Sequence, residues 1–80
     1  MRKFNGKSNV CGLLIENYRL KNDMSRENLA EQMQLMGINI DRAHIYRIEK
    51  GIVILKDFEL ITICKILNID YTDLLTIINE

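Results

Sequence analysis

The segment from Ser25 to Gly51 constrains the fold of this chain more than any other part. It opens on a serine that can cap a helix, continues with a short apolar stripe, and gives a second stripe that ends at Gly51. A glycine after the last helical turn suits the left-handed conformation that ends many helices. The segment therefore predicts two short helices joined by a turn.

The composition favours helices in the rest of the chain as well. Eighty residues make one domain, and an apolar content of 48% supplies a core. The chain has no proline and only four glycines, which favours helices over a strand-rich sandwich. We predict an all-α fold, with a flexible N-terminal arm at residues 1–7 and a single domain at residues 8–80.

The apolar runs of the sequence are too short for a membrane span. The longest, Ile52–Leu55 and Leu60–Ile63, fall far below the roughly 20 residues that a spanning helix needs. The sequence does not open with a charged segment followed by an apolar one, as a secretion leader would. We expect a cytoplasmic protein that does not bind membranes.

The charges of the chain balance, but they are unevenly distributed. Eleven basic residues face eleven acidic ones, which argues against a strongly basic nucleic-acid binder. Ten of the basic residues and six of the acidic ones lie within residues 1–56, whereas residues 57–80 are mainly acidic. The pattern is compatible with a moderately basic face and an acidic back.

Apolar residues recur at spacings of three and four in five segments, which predicts five helices. Each segment follows a residue that can cap a helix. The predicted caps are Ser8 or Asn9, Ser25, Asp41, Asp57 and Asp70. The first helix should end near Lys21, the second at about Met33 or Leu35, and the fourth at Asn68. The apolar residues of the five segments are Cys11, Leu14, Ile15, Tyr18, Leu29, Ala30, Met33, Ile45, Ile48, Leu60, Ile63, Cys64, Leu67, Leu74, Leu75 and Ile78.

Cysteine and histidine usage does not indicate catalysis. Cys11 and Cys64 lie on apolar stripes, where we interpret them as small hydrophobic residues; a redox pair or disulfide is the alternative. Two cysteines and one distant histidine do not make a zinc site. His44 has no paired nucleophile motif, and no glycine-rich phosphate loop occurs. We therefore predict no enzyme activity, no cofactor and no small-molecule substrate.

Over roughly residues 11–75 the chain resembles the Cro/CI-type helix-turn-helix family, also called the Xre family. Several segments match the family pattern in the correct order. They are Arg19 after Ile15, Ser25 with Leu29-Ala30, Ile45 with Arg47-Ile48-Glu49-Lys50-Gly51, and Glu59-Leu60-Ile61 through Leu67-Asn68-Ile69 to Leu74-Leu75. The resemblance implies a compact five-helix, lambda-repressor-like fold that binds double-stranded DNA.

The chain departs from the commonest family pattern in one segment. Between Leu29-Ala30 and Ile48-Glu49 it is about five residues longer, and the extra length falls around Leu35–Ile40. Gly37 and two isoleucines separated by a polar residue suit an extended, partly buried turn better than a continuing helix. We expect a long turn between helices two and three.

The resemblance also implies which residues contact DNA bases. In this family the third helix lies in the major groove, which displays a distinguishable pattern of donors and acceptors. Arg42, Ala43 and Arg47 occupy the positions that typically meet bases. An arginine can donate two bonds to guanine, and an alanine can touch a thymine methyl group. In the alternative, Arg42 pairs with Asp41 or only keeps the surface solvated.

Five further residues are candidates for contacts with DNA phosphates. They are Arg26, His44, Tyr46, Lys50 and Lys56. The family uses positions corresponding to Arg26, Lys50 and Lys56, and the free N–H groups at the start of the second helix also attract anions. The alternative for all five is a solvated polar surface.

The resemblance gives Arg19 and Glu49 a structural role. In the family the matching residues form a partly buried ion pair that ties helix one to the end of helix three. Such a pair maintains geometry more reliably than it adds stability. The alternative is two unrelated surface charges.

Our leading hypothesis is that the protein is a sequence-specific DNA-binding transcriptional regulator. Family resemblance favours a repressor over an activator, and we expect it to act as a homodimer on a two-fold related operator. One such domain reads few base pairs, so a second copy is expected to add its contacts. Ile77 and Ile78 are candidates for the dimer interface, unless Ile78 packs on its own core. The alternative function is a protein-interaction module, such as an antitoxin-like partner, built on a helix-turn-helix scaffold.

Overall fold

The all-α prediction is confirmed. A computed structural model describes residues 6–77. The predicted Ile78 and most of the predicted arm lie outside this range. The five helices are α1 (Gly12–Lys21), α2 (Arg26–Leu35), α3 (Arg42–Glu49), α4 (Asp57–Leu67) and α5 (Tyr71–Thr76). In the part of the chain that the structure describes, none of them is long and apolar enough to cross a membrane.

Three helices begin at the predicted caps. The Ser25 hydroxyl accepts a hydrogen bond from the backbone N–H of Asn28 and starts α2. Asp41 Oδ1 accepts from the N–H of His44, at 2.9 Å, and starts α3. Asp70 similarly starts α5. Each cap satisfies a backbone donor that the first helical turn leaves unpaired.

The starts of α1 and α4 differ from the prediction. α1 begins at Gly12, later than a cap at Ser8 or Asn9 implies. Asn9 Oδ1 accepts the N–H of Cys11 at 3.1 Å, just before the helix, and the Asn9 amide also binds elsewhere in the fold. Its Nδ2 donates to the carbonyl oxygens of Ile48 and Val53, at 3.1 and 2.9 Å.

In α4, the predicted cap Asp57 is instead the first helical residue, and Lys56 occupies the cap position. Glu59 accepts the Lys56 N–H at 2.9 Å. A glutamate at the third helical position is long enough to reach back in this way.

The core lies among the first four helices, at the predicted apolar stripes. The fully buried side chains are Ile15, Leu29, Met33, Ile45, Ile48, Ile63 and Leu67. α5 contributes no buried residue, and its Leu75 is 53% exposed. The Tyr18 hydroxyl connects α1 to α5, since it donates to the Asp73 carboxylate and accepts the N–H of Asp70. The fold that positions α3 therefore depends on α1, α2 and α4.

The long turn between α2 and α3 is anchored at both ends. Gly37 has a φ of +89°, a left-handed conformation that glycine adopts without strain, and it ends α2. Ile40 is buried in the core, and its carbonyl oxygen accepts a bond of 2.7 Å from the Gln34 side chain. The additional residues thus form a turn with fixed ends.

Candidate functional site

α3 has one face in the core and one face in solvent. Ile45, Ile48 and Glu49 are buried, and the 3.6-residue period of the helix then directs the intervening side chains outward. The exposed residues of α3 are Arg42, Ala43, Tyr46 and Arg47. The three predicted base contacts, Arg42, Ala43 and Arg47, are therefore all exposed to solvent.

This exposed face forms one wall of a surface depression of about 640 Å³. The start of α2 forms the opposite wall, where Ser25 is the cap. The depression is lined by Arg19, Ser25, Arg26, Glu27, Arg42, Ala43, Tyr46 and Arg47. Two of its four arginines, Arg42 and Arg47, form no salt bridge within residues 6–77, so they give the depression positive charge although the whole chain is neutral.

Arg42 and Arg47 are available for a ligand. Within residues 6–77, neither guanidinium forms a salt bridge or a side-chain hydrogen bond. The neighbouring Asp41 carboxylate caps the N–H of His44. Both arginines can therefore donate to an external acceptor without first breaking a contact that the structure shows.

The structure brings Arg19 and Glu49 together in a buried ion pair. Arg19 Nε lies 2.6 Å from Glu49 Oε2, and Arg19 Nη2 lies 3.2 Å from Oε1. Arg19 Nη1 also donates to the carbonyl oxygen of Met24, just before α2. The Glu49 side chain is fully buried, so this pair joins α1, the start of α2 and the end of α3 in the interior.

Arg26 joins the same cluster, which sequence analysis did not predict. Its Nε lies 2.8 Å from Glu49 Oε1, and its Nη2 lies 3.2 Å from Glu16 Oε2. The hydrogen bond to Glu49 raises the pKa of the Arg26 guanidinium above its ordinary value. The predicted phosphate contact is therefore bound to two carboxylates of its own protein.

Two cations lie near the Tyr46 ring. The Arg26 guanidinium is 5.1 Å from the centre of the Tyr46 ring, and the Lys50 ammonium is 5.7 Å from it. Both are within the range of cation–π attraction. Lys50 Nζ is also 3.6 Å from Glu16 Oε2, so Glu16 holds both cations near the ring.

His44 and Lys56 lie on the other side of α3. The His44 ring faces α4, and its Nε2 is 3.5 Å from Glu59 Oε2 without forming a hydrogen bond. Lys56 is exposed, with its Nζ 5.8 Å from the centre of the Phe58 ring. Of the two, Lys56 is the one whose charge faces solvent.

The cysteines do not contribute to this site. Cys11 and Cys64 are free and half-buried. Burial raises the pKa of both thiols. A raised pKa decreases the thiolate fraction, which is the reactive form.

Sequence analysis also missed two residues that hold the end of α3. Gly12 lies so close to it that an added Cβ would be 2.4 Å from the Ile48 oxygen and 2.5 Å from the Glu49 oxygen. A glycine at the start of a helical pattern is the signal that could have indicated this approach. Asn9, which also binds the Ile48 oxygen, carries no comparable signal.

Comparison with known proteins identifies a related family. A family model described as helix-turn-helix matches residues 15–74, which run from α1 into α5 and cover more than half of the chain. No curated protein and no solved structure matches the chain significantly.

Proposed function

From the premise that this chain belongs to the Cro/CI-type (Xre) helix-turn-helix family of DNA-binding regulators, we propose that it represses transcription by inserting α3 into the major groove. The exposed row of Arg42, Ala43 and Arg47 on α3 is the observation that carries this proposal. A helix of this width fits the major groove, where base edges can be read.

Each side chain of the row has a chemical partner among the bases. Arg42 is in the first turn of α3 and donates two parallel bonds to guanine O6 and N7. Ala43 packs against a thymine methyl group. Arg47, five residues after Arg42 and about one turn after Ala43, reaches a second guanine or the adjacent phosphate. Both arginines lie on the wall of the depression, opposite the start of α2.

Phosphate contacts surround this row. The start of α2 presents backbone N–H groups and the positive end of the helix dipole to one strand. Exposed Tyr46 and Lys56 and half-exposed Lys50 supply further donors. His44 joins this set only if its ring leaves Glu59, so it is the weakest of the sequence-predicted candidates.

A homodimer in the cytoplasm fits this mode of binding. An eight-residue helix reaches few base pairs, whereas two copies about 34 Å apart read successive turns of one DNA face. Occupation of a promoter by such a pair excludes other proteins without further contacts. Repression is therefore the simplest output, and the proposed role is binding rather than catalysis.

Selection from a library of random duplex DNA tests the proposal. We expect the wild-type protein to enrich one sequence, with affinity that decreases steeply as salt rises, because phosphate contacts release counterions. The enriched sequence should show two related half-sites if a homodimer binds. If no duplex is enriched at low or physiological salt, the proposal fails and the protein-interaction alternative is favoured.

A further inference from the structure

Arg26 occupies a position where a phosphate ligand is expected, at the first residue of α2 on the wall of the depression. Its guanidinium is nevertheless engaged on three sides. Nε binds Glu49, Nη2 binds Glu16, and the guanidinium plane lies near the Tyr46 ring. A guanidinium is a planar fork that can direct separate N–H donors to two carboxylates while its face lies near a ring, whereas an ammonium group is a point charge without such a face.

Moving Arg26 to a phosphate would disturb the interior of the protein. The Glu49 side chain is fully buried, and Arg26 supplies one of its three charged hydrogen bonds. Among residues 6–77, Glu16 would keep only Lys50 as a charged partner, at 3.6 Å. Because a buried carboxylate that loses a charged partner is costly, the arrangement favours retention of Arg26 in the cluster.

Tyr46 is the member of this cluster that faces DNA in the proposed complex. It lies four residues after Arg42 and three after Ala43, so the three side chains share one face of α3. Tyr46 is 45% exposed as a whole residue, and its hydroxyl makes no hydrogen bond within residues 6–77. A ring already held in place loses little conformational entropy when it binds.

On the basis of the DNA-binding function above, we propose that Arg26 is a positioning residue that holds Tyr46 against the groove-reading row, and that Tyr46 contributes to sequence discrimination through this placement. Arg26 then affects which duplex is bound without neutralising a phosphate. Glu16 and Lys50 complete the support of the ring.

The slope of affinity against salt separates this role from phosphate binding. The probes are the duplex enriched by the wild-type protein and a scrambled duplex of equal length. A phosphate ligand contributes about 0.9 to the slope of log affinity against log salt. We expect Arg26→Gln to leave that slope unchanged while the ratio of the two affinities decreases by roughly threefold to tenfold.

Arg26→Lys is the matched variant, since it keeps the charge but loses the fork. We expect it to lose discrimination as Arg26→Gln does. Wild-type behaviour of Arg26→Lys, together with a slope reduced by about 0.9 in Arg26→Gln, would overturn the proposal and assign Arg26 to a phosphate. Thermal unfolding of each variant shows that it is folded, and Arg26→Lys decides alone if Arg26→Gln does not fold.

A double-mutant cycle tests whether Arg26 acts through the ring. Tyr46→Leu should decrease discrimination by a similar factor, and the double variant with Arg26→Lys should be no worse than the poorer single variant. Additive losses would overturn the proposal, because they would mean independent roles. If the wild-type protein enriches no duplex, the DNA-binding function fails first, before any variant is compared.

Discussion

The two ends of α3 are held in the fold in different ways. Its C-terminal end is fixed by buried contacts: Glu49 binds Arg19 and Arg26, Gly12 packs directly against the last carbonyl groups, and the Asn9 side chain binds the Ile48 oxygen. These contacts come from α1, from α2 and from the chain before α1. The orientation of the helix is therefore set where it meets the interior.

The N-terminal end of α3 has fewer supports. Asp41 caps it, and the long turn before it is anchored by Ile40. Arg42 and Ala43, immediately after the cap, are exposed. Two of the proposed base contacts, Arg42 and Ala43, therefore lie at the end with few internal contacts, while the opposite end determines the direction of the helix. Substitutions at the two ends should accordingly change different quantities.

The largest effect is expected from Glu49→Ala at the fixed end. It leaves Arg19 and Arg26 without their shared carboxylate, and breaking a buried ion pair costs about 3–5 kcal/mol. We expect the free energy of unfolding and DNA affinity to decrease together, measured by urea denaturation and by fluorescence anisotropy. Glu31→Ala, which removes an exposed carboxylate from the middle of α2, is the control. Equal stability of the two variants would contradict the anchoring role.

Gly12→Ala should destabilise the same end by about 1–3 kcal/mol, because the new methyl group overlaps the last carbonyl groups of α3. The direction of the stability change is informative, since alanine ordinarily stabilises a helix relative to glycine by about 1 kcal/mol. Thermal unfolding followed by circular dichroism measures it. The neighbouring Leu13→Ala, at a side chain 68% exposed, should change little. A higher melting temperature for Gly12→Ala would show that α1 and α3 can separate at no cost.

Much of the fold that positions α3 could be predicted from the sequence. Apolar spacing predicts the helices and the buried stripe of α3, because burial on one face imposes the helical period. Ser25 and Asp41 are recognisable as caps from residue type and position, and the structure confirms both. Family resemblance points to Arg19 and Glu49, which the structure places together. These features depend on local chemistry or on a known arrangement.

The remaining features depend on side-chain directions that the sequence does not contain. Arg26 has carboxylates near it only because α1 and α3 bring Glu16 and Glu49 to the start of α2. His44 lies 3.5 Å from Glu59 because the fold brings the start of α4 close to this residue of α3. An exposed position on a helical pattern does not show whether a charged side chain meets solvent or another element. The phosphate candidates therefore could not be sorted before the fold was known.

At the free end, Arg42→Ala should decrease affinity for the selected duplex by about 2 kcal/mol, or roughly 30-fold, with an unchanged melting temperature. The guanidinium forms no salt bridge within the described residues, so the folded protein loses no internal contact. Electrophoretic mobility shift and thermal unfolding are the two measurements. Lys65→Ala on α4 removes an equal charge away from α3 and should bind normally. Normal binding by Arg42→Ala would contradict the assignment of Arg42 as the main base contact.

The smallest effect is expected from Asp41→Ala, which should change both folding stability and DNA affinity. Loss of the hydrogen bond to the His44 N–H should decrease the free energy of unfolding by about 1 kcal/mol. Asp41→Asn keeps an acceptor and should recover most of it. Because the cap immediately precedes Arg42, fraying of this end should also weaken DNA binding by more than the change in global stability explains. Hydrogen exchange of the first turn of α3 measures that fraying, and unchanged exchange in Asp41→Ala would show that the turn anchored by Ile40 is sufficient to hold this end.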